Sequence, residues 1–119
     1  MISNERLPTL RAATVARAAA LADLIGVSER ARAPGGYTWE VLKLGSIGAM
    51  PEFQRRRRDG YLARATDNGM PRNPIVHADG PHRGFLTRYG LALACWAYSP
   101  DPAATRRALA LEERANRTE

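Results

Sequence analysis

Lysine and cysteine are nearly missing from this chain. Of its 18 basic residues only Lys43 is not arginine, and Cys95 is the sole cysteine. One thiol excludes an intrachain disulfide and speaks against a structural zinc site, which needs several thiolate or imidazole ligands. Cys95 lies in the apolar stretch LALACWAY, where a buried, inert thiol in a reducing setting is expected. Long hydrophobic runs are missing too. The longest, Leu91 to Tyr98, is far below the ~18–20 residues of a membrane span, and the opening MISNERLPTL has no signal-type apolar segment. The expectation is therefore a cytoplasmic protein without a membrane partner. Catalytic signatures are also lacking: Gly35-Gly36 is not followed by lysine and a helix as in a phosphate-cradling loop, and Ser3, Ser28, Ser46 and Ser99 have no nucleophile pattern around them. No catalytic residue and no cofactor is assigned, and an enzyme is not the expectation.

What is present describes one small folded domain. A chain of 119 residues can bury a single core, and 45% hydrophobic with 25% charged residues is the balance of an ordinary globular protein. The net charge is +6, spread as +4 over residues 1–60 and +2 over 61–119, with no basic tail. Such a balance favours polyanions as partners. The arginine bias sharpens this, because guanidinium is planar, permanently charged and able to make paired bonds to phosphate or carboxylate. A GC-rich genome produces the same bias through its codons.

Helical patterning dominates. Thr9 to Ile25 is alanine-rich, with Ala13, Ala16, Ala20 and Leu24 on one face, Leu10, Leu21 and Ile25 widening it, and Gly26 as a left-handed stop. Residues 37–44, YTWEVLKLG with its Gly45, fit a short helix capped by Thr38 or an alternating strand; the helix is preferred, with Trp39, Val41, Leu42 and Leu44 as core candidates. A helix should start at Pro51 and run to about Asp67 before Asn68-Gly69. The stretch from Phe85 to Tyr98 is apolar nearly all round and belongs in the centre. The final helix has Asp101 as cap, Pro102 in its first turn, an inner stripe of Ala104, Ala108, Leu111 and Ala115, and a Glu113–Arg117 pair. The fold class expected is all-α: one compact bundle of four to five short helices over residues 1–119, with one long irregular loop at about residues 69–84.

Four stretches bear on function. Leu21 to Ser28, LADLIGVS, resembles the first helix and turn of a helix-turn-helix DNA-binding unit, with Ala22 where the helices approach and Gly26 in the turn. The resemblance implies that Ser28, Glu29, Arg30 and Arg32 face a major groove. It covers about eight residues: Arg32 stands where that pattern has a buried aliphatic residue, and Pro34-Gly35-Gly36 would cut the recognition helix short.

The second stretch is QRRRRDG, Gln54 to Gly60. At about 100° per residue, four arginines in a row cannot share one helix face. If the helix continues to Asp67, Arg57 aligns with Arg64 and Arg55 neighbours Arg58; alternatively Asp59-Gly60 is a turn signal that ends one helix after the arginines, with Gly60 opening another. Arginines in a last turn also suit the helix dipole without any ligand. Third, the loop HADGPH offers His77, Asp79 and His82 as weak metal or acid–base candidates. Fourth, Trp39 and Tyr61 are aromatic anchor candidates, with Phe53 and Tyr61 able to stack on single strands.

The leading expectation is a small nucleic-acid-associated regulatory or accessory protein, contacting DNA or RNA phosphates through Arg30, Arg32, Arg55, Arg56, Arg57, Arg58 and Arg64. The alternative is a protein-binding module or inhibitor of phage or mobile-element type, or a small structural subunit, using the same arginines on an acidic protein surface. A metal- or histidine-dependent enzyme ranks last, and the oligomeric state stays open.

Overall fold

The structure, a computed structural model, describes residues 9–117, so the first eight residues of the opening segment lie outside it. Helix α1 (Ala12–Ile25) ends at Gly26 in the left-handed conformation, φ 73°. A single turn, α2 (Glu29–Arg32), precedes α3 (Tyr37–Leu44) and α4 (Glu52–Ala65). A two-stranded antiparallel ribbon, β1 (Thr66–Asp67) and β2 (Met70–Pro71), turns over Asn68-Gly69. Then come α5 (Arg88–Cys95) and α6 (Pro102–Arg117). The chain is thus a compact, mostly helical fold: five helices of two turns or more, one single-turn helix and a minor ribbon. Residues 37–44 are helical, and their N-cap is Gly36 rather than Thr38. Among the described residues no helix is long and apolar enough to cross a membrane.

The segment expected to be irregular is more ordered than its prolines and glycines imply. Besides β2, Val76 bridges Leu86, the His77 N–H donates to the Phe85 carbonyl (2.9 Å) and the Thr87 N–H to the Ile75 carbonyl (3.0 Å). This makes a short hairpin that lies directly on α5. A Cβ added to Gly90 would sit 2.2 Å from the Ile75 carbonyl oxygen, so only glycine allows that approach. Thr87 caps α5 by accepting the Gly90 N–H (3.0 Å), and Asp101 caps α6 by accepting the Ala104 N–H (3.1 Å).

Helix α5 occupies the centre, as its all-round apolarity required. Leu91, Ala94 and Cys95 share one core with Val15, Ala18, Leu21 and Ala22 of α1 and Val41 of α3, while Leu93 joins Leu62 and Tyr98 in a second cluster. Thr38, buried within α3, donates from its hydroxyl to the Cys95 carbonyl (2.6 Å) and ties α3 to the end of α5. Burial pushes the Cys95 thiol up to about 11, which keeps it protonated and unreactive.

The inward faces differ from the expected ones in three helices. In α1 the expected face of Ala13, Ala16, Ala20 and Leu24 points to solvent, and Thr14, Val15, Ala18, Ala19, Leu21 and Ala22 are buried. Alanine on nearly every side leaves such a helix with little apolar contrast, so its rotation is set by what it packs against. In α6, Thr105, Ala108 and Leu109 are buried while Leu111 and Ala115 are exposed, and Glu113 takes Arg17 of α1 as partner: Arg17 Nε and Nη2 donate to its two oxygens at 3.0 and 2.8 Å. That fork holds the Glu113 carboxyl below its ordinary value, first through the hydrogen bond and then through the nearby Arg17 and Arg117 charges. In α3, Val41 is buried, Trp39 is half-buried, and Leu42 and Leu44 are exposed.

Helix α4 departs furthest from apolar patterning. It runs without a break through Asp59-Gly60, in keeping with the span from Pro51 to about Asp67 and correcting the expected stop: its inner line of Gln54, Arg58 and Leu62, continued by Thr66 just past its end, is buried at every fourth residue. Two of these four are polar side chains that bond backbone carbonyls of other segments. Gln54 Nε2 donates to the Gly35 carbonyl (3.1 Å). Arg58, only 1% exposed, donates from Nε to the Trp96 carbonyl (2.7 Å) and from Nη2 to the Ala97 carbonyl (2.9 Å). The Trp96 carbonyl belongs to the C-cap of α5, so Arg58 meets the negative end of that helix, while the Ala97 carbonyl, which also accepts the Leu10 N–H (2.9 Å), ties Arg58 to the segment before α1. Burial lowers the Arg58 pKa from its usual value, opposed by the nearby Tyr37, Asp59 and Tyr98; a guanidinium remains charged regardless. Replacing Arg58 with the similarly long methionine should cost about 3 kcal/mol, since two charge-assisted bonds are lost and the Trp96 carbonyl stays buried, while the Ala97 carbonyl keeps the Leu10 N–H. Arg58→Lys, with one point donor, should lose less, and urea denaturation of both variants measures the difference.

Candidate functional site

With Arg58 inside, helical geometry turns Phe53, Arg57, Gly60 and Arg64 outward, within about 60° of one another at 100° per residue. Arg56 flanks this face. Opposite it stands α2, and the space between is a cleft of about 410 Å³ lined by Arg30, Ala31, Arg56, Arg57, Gly60, Arg64 and Trp96. Four guanidinium groups, separated by up to 34 positions in sequence, therefore line one recess.

The turn Pro34-Gly35-Gly36 builds this cleft rather than merely breaking the chain. The Gly35 carbonyl accepts both Gln54 Nε2 and Arg57 Nη1 (2.9 Å), which fastens the turn to α4 and holds Arg57 in place. A Cβ on Gly36 would lie 2.3 Å from the Ala31 carbonyl oxygen and 2.5 Å from that of Arg30, so glycine lets α3 begin directly on the end of α2. Arg30 is thereby set facing α4.

Charge in the cleft is largely uncompensated. Arg56 pairs with Glu52 one turn earlier (3.0 Å), an exposed contact of small energetic weight. Among the described residues, no carboxylate stands within ion-pair distance of Arg30, Arg57 or Arg64. At the floor Gly60 has no side chain, and Arg64 lies over it, its Nη1 3.4 Å from where a Cβ would stand.

One wall is aromatic. Trp96 lies parallel to Tyr61 (ring centroids 4.5 Å apart, planes 8° apart) and to Tyr37 (5.1 Å, 17°). Burial pushes the Tyr61 hydroxyl up to about 12. The anchor candidate Tyr61 thus supports the cleft wall. Trp39 lies outside the cleft, with the Lys43 ammonium 5.0 Å from its ring centroid.

The remaining site expectations divide. Arg58 makes no outward contact because it is spent on α5 carbonyls. The expected Arg55–Arg58 pair is thereby lost, and Arg55 points away from the cleft, on the far side of the helix. Arg32 folds back, donating from Nε to the Val27 carbonyl (3.0 Å) and from Nη1 to Asp23 (2.7 Å). The helix-turn-helix likeness therefore ends at the turn: Gly26 and the buried Val27 follow it, but α2 is a single turn, closed off where α3 packs on its last carbonyls. Of Ser28, Glu29, Arg30 and Arg32, only Arg30 faces the cleft.

The histidine loop forms a separate recess of about 570 Å³, where His77, His82, Phe85 and Arg88 meet Glu112 of α6. The imidazole centroids are 5.9 Å apart, and Asp79 is exposed and outside the recess. Among the described residues no three histidine, cysteine, aspartate or glutamate side chains are grouped to hold a metal ion. The weak His77, Asp79, His82 set is not brought together because Asp79-Gly80 forms the hairpin tip.

Trp96 was missed as a site residue: the helical pattern assigned it to the core, and the left-handed Ala97 (φ 58°) that ends α5 carried no signal in its letters. Gly60 was read as a turn rather than a floor. The chain matches no protein-family model, no curated protein and no solved structure.

Raised tyrosine pKa values have a definite sign. Tyr61 ionises near 10 when unfolded and near 12 when folded, so its contribution to stability is fully present below pH 10 and is lost as the pH rises towards 12. Alkaline unfolding followed by circular dichroism should therefore set in across pH 10–12, and Tyr61→Phe, which keeps the stacked ring, should shift its midpoint upward.

Proposed function

We propose that this protein is a nucleic-acid-associated accessory or regulatory protein that grips phosphates with Arg30, Arg56, Arg57 and Arg64. The observation that carries this reading is the convergence of these four guanidinium groups on one recess with a glycine floor. A cleft in which three of four arginines lack a carboxylate partner among the described residues attracts an anion of more than one charge, and nucleic-acid backbone supplies phosphates at regular spacing. The net charge of +6 supports the same reading by steering a polyanion towards the protein. Relative to the expectation from sequence, the contact set is narrower: Arg32, Arg55 and Arg58 leave it.

A second reading rests on a different face. The exposed stripe of Ala13, Ala16, Ala20 and the 74% exposed Leu24 favours a protein partner held by apolar contact, as an inhibitor or structural subunit would be. Purification from the native host at moderate salt, with and without nuclease, separates the two, since a companion that survives nuclease supports the second.

Two measurements test the lead. Arg57→Gln with Arg64→Gln should weaken binding at every sequence and lower the slope of log K against log salt by about 1.5, as two phosphate contacts are lost. Gly60→Leu keeps every charge and should strengthen α4 by up to about 1 kcal/mol through helix propensity. It should nonetheless reduce affinity by filling the cleft floor, so thermal melting and binding move in opposite directions.

A further inference from the structure

We infer that the arginine cleft takes single-stranded rather than duplex nucleic acid, with Phe53 stacking on a base beside the phosphates held by Arg56, Arg57 and Arg64. This deepens the phosphate-binding reading above and rests on it. Among the described residues Trp96 is the only aromatic one lining the cleft, and its ring already lies parallel to two tyrosines, so its stacking capacity serves the protein itself. Tyr61 is committed to the same stack. Phe53 is different: it is 55% exposed, on the outer face of α4 with Arg57 and Arg64.

From Phe53 to Arg64 the helix rises about 16 Å, enough for a strand of a few nucleotides to lie along it. A duplex keeps its bases stacked inward and presents no base face to Phe53. A single strand can turn a base out, stack it on the phenyl ring and leave its phosphates in the recess. Alternating a cationic groove with an aromatic platform is the arrangement that binds single strands with little sequence preference. It also accounts for a large apolar ring 55% exposed on the face of α4 that carries Arg57 and Arg64.

The test is fluorescence anisotropy at low salt with three labelled probes: a short oligothymidylate, the same strand carrying abasic sites, and a duplex of equal length. The expected result is that the intact single strand binds about tenfold more tightly than the duplex. Phe53→Leu, a substitution at an exposed position, should lower affinity for the intact strand about tenfold without changing its salt slope, and should leave abasic-strand and duplex binding unchanged. Equal binding of all three probes, or an intact-strand affinity indifferent to Phe53→Leu, would overturn the inference while leaving the arginine cleft as a phosphate site. Absence of salt-dependent binding to any probe would overturn both readings.

Discussion

The forked contact from Arg58 to the Trp96 and Ala97 carbonyls is the constraint on which the rest of this structure depends. It joins the fourth helix to the blunt end of the fifth, and it fixes the rotation of the fourth about its own axis. Once Arg58 is inside, Gln54, Leu62 and Thr66 follow on the inner line. Residues a few positions away have no choice but to face water. The outward arginines and the glycine floor are thus consequences of one buried cation, and so is the position of Trp96, whose own carbonyl accepts the bond.

The same contact explains how so polar a helix can be integral to the fold. A buried guanidinium carries a heavy desolvation cost, offset only where good acceptors surround it. The end of a helix is such a place, since its last carbonyls lack partners and carry partial negative charge. Arg58 and the terminus of α5 each meet a need of the other that hydrocarbon could not meet. Gln54 and Arg57 extend the principle to the Gly35 carbonyl, so the α2–α3 turn is held by hydrogen bonds where an apolar contact would be the usual device.

Element identity was legible wherever the signal was local. Gly26 and Gly45 as left-handed ends, and Asp101-Pro102 as a helix start, could be read because caps and stops depend on a few adjacent residues. Of the helices whose facing the letters did not give, α1 and α4 failed for opposite reasons. Helix α1 has apolar residues in every direction, so the letters do not prefer the true inner face of Val15, Ala18 and Ala22 over the face of Ala13, Ala16 and Ala20. Helix α4 has an inner line of Gln54 and Arg58 that no hydrophobic pattern marks. At the site, the alignment of Arg57 with Arg64 followed from helical period alone. The joining of Arg30 and Trp96 to them is a product of tertiary contact, which no spacing in the chain expresses.

The four adjacent arginines, finally, are one word in the sequence and four different residues in the fold. Arg55 lies on the far side of the helix, Arg56 leans on Glu52, Arg57 is pinned to Gly35, and Arg58 is core. Drift among descendants of this chain would not treat the run as a unit. Arg55 and Arg56 are exposed, Arg57 is exposed but tied to the α2–α3 turn, and Arg58 is held by the fold itself. Selection for folding alone would therefore keep Arg58 most strictly of the four, because it is the one whose charge lies inside the core.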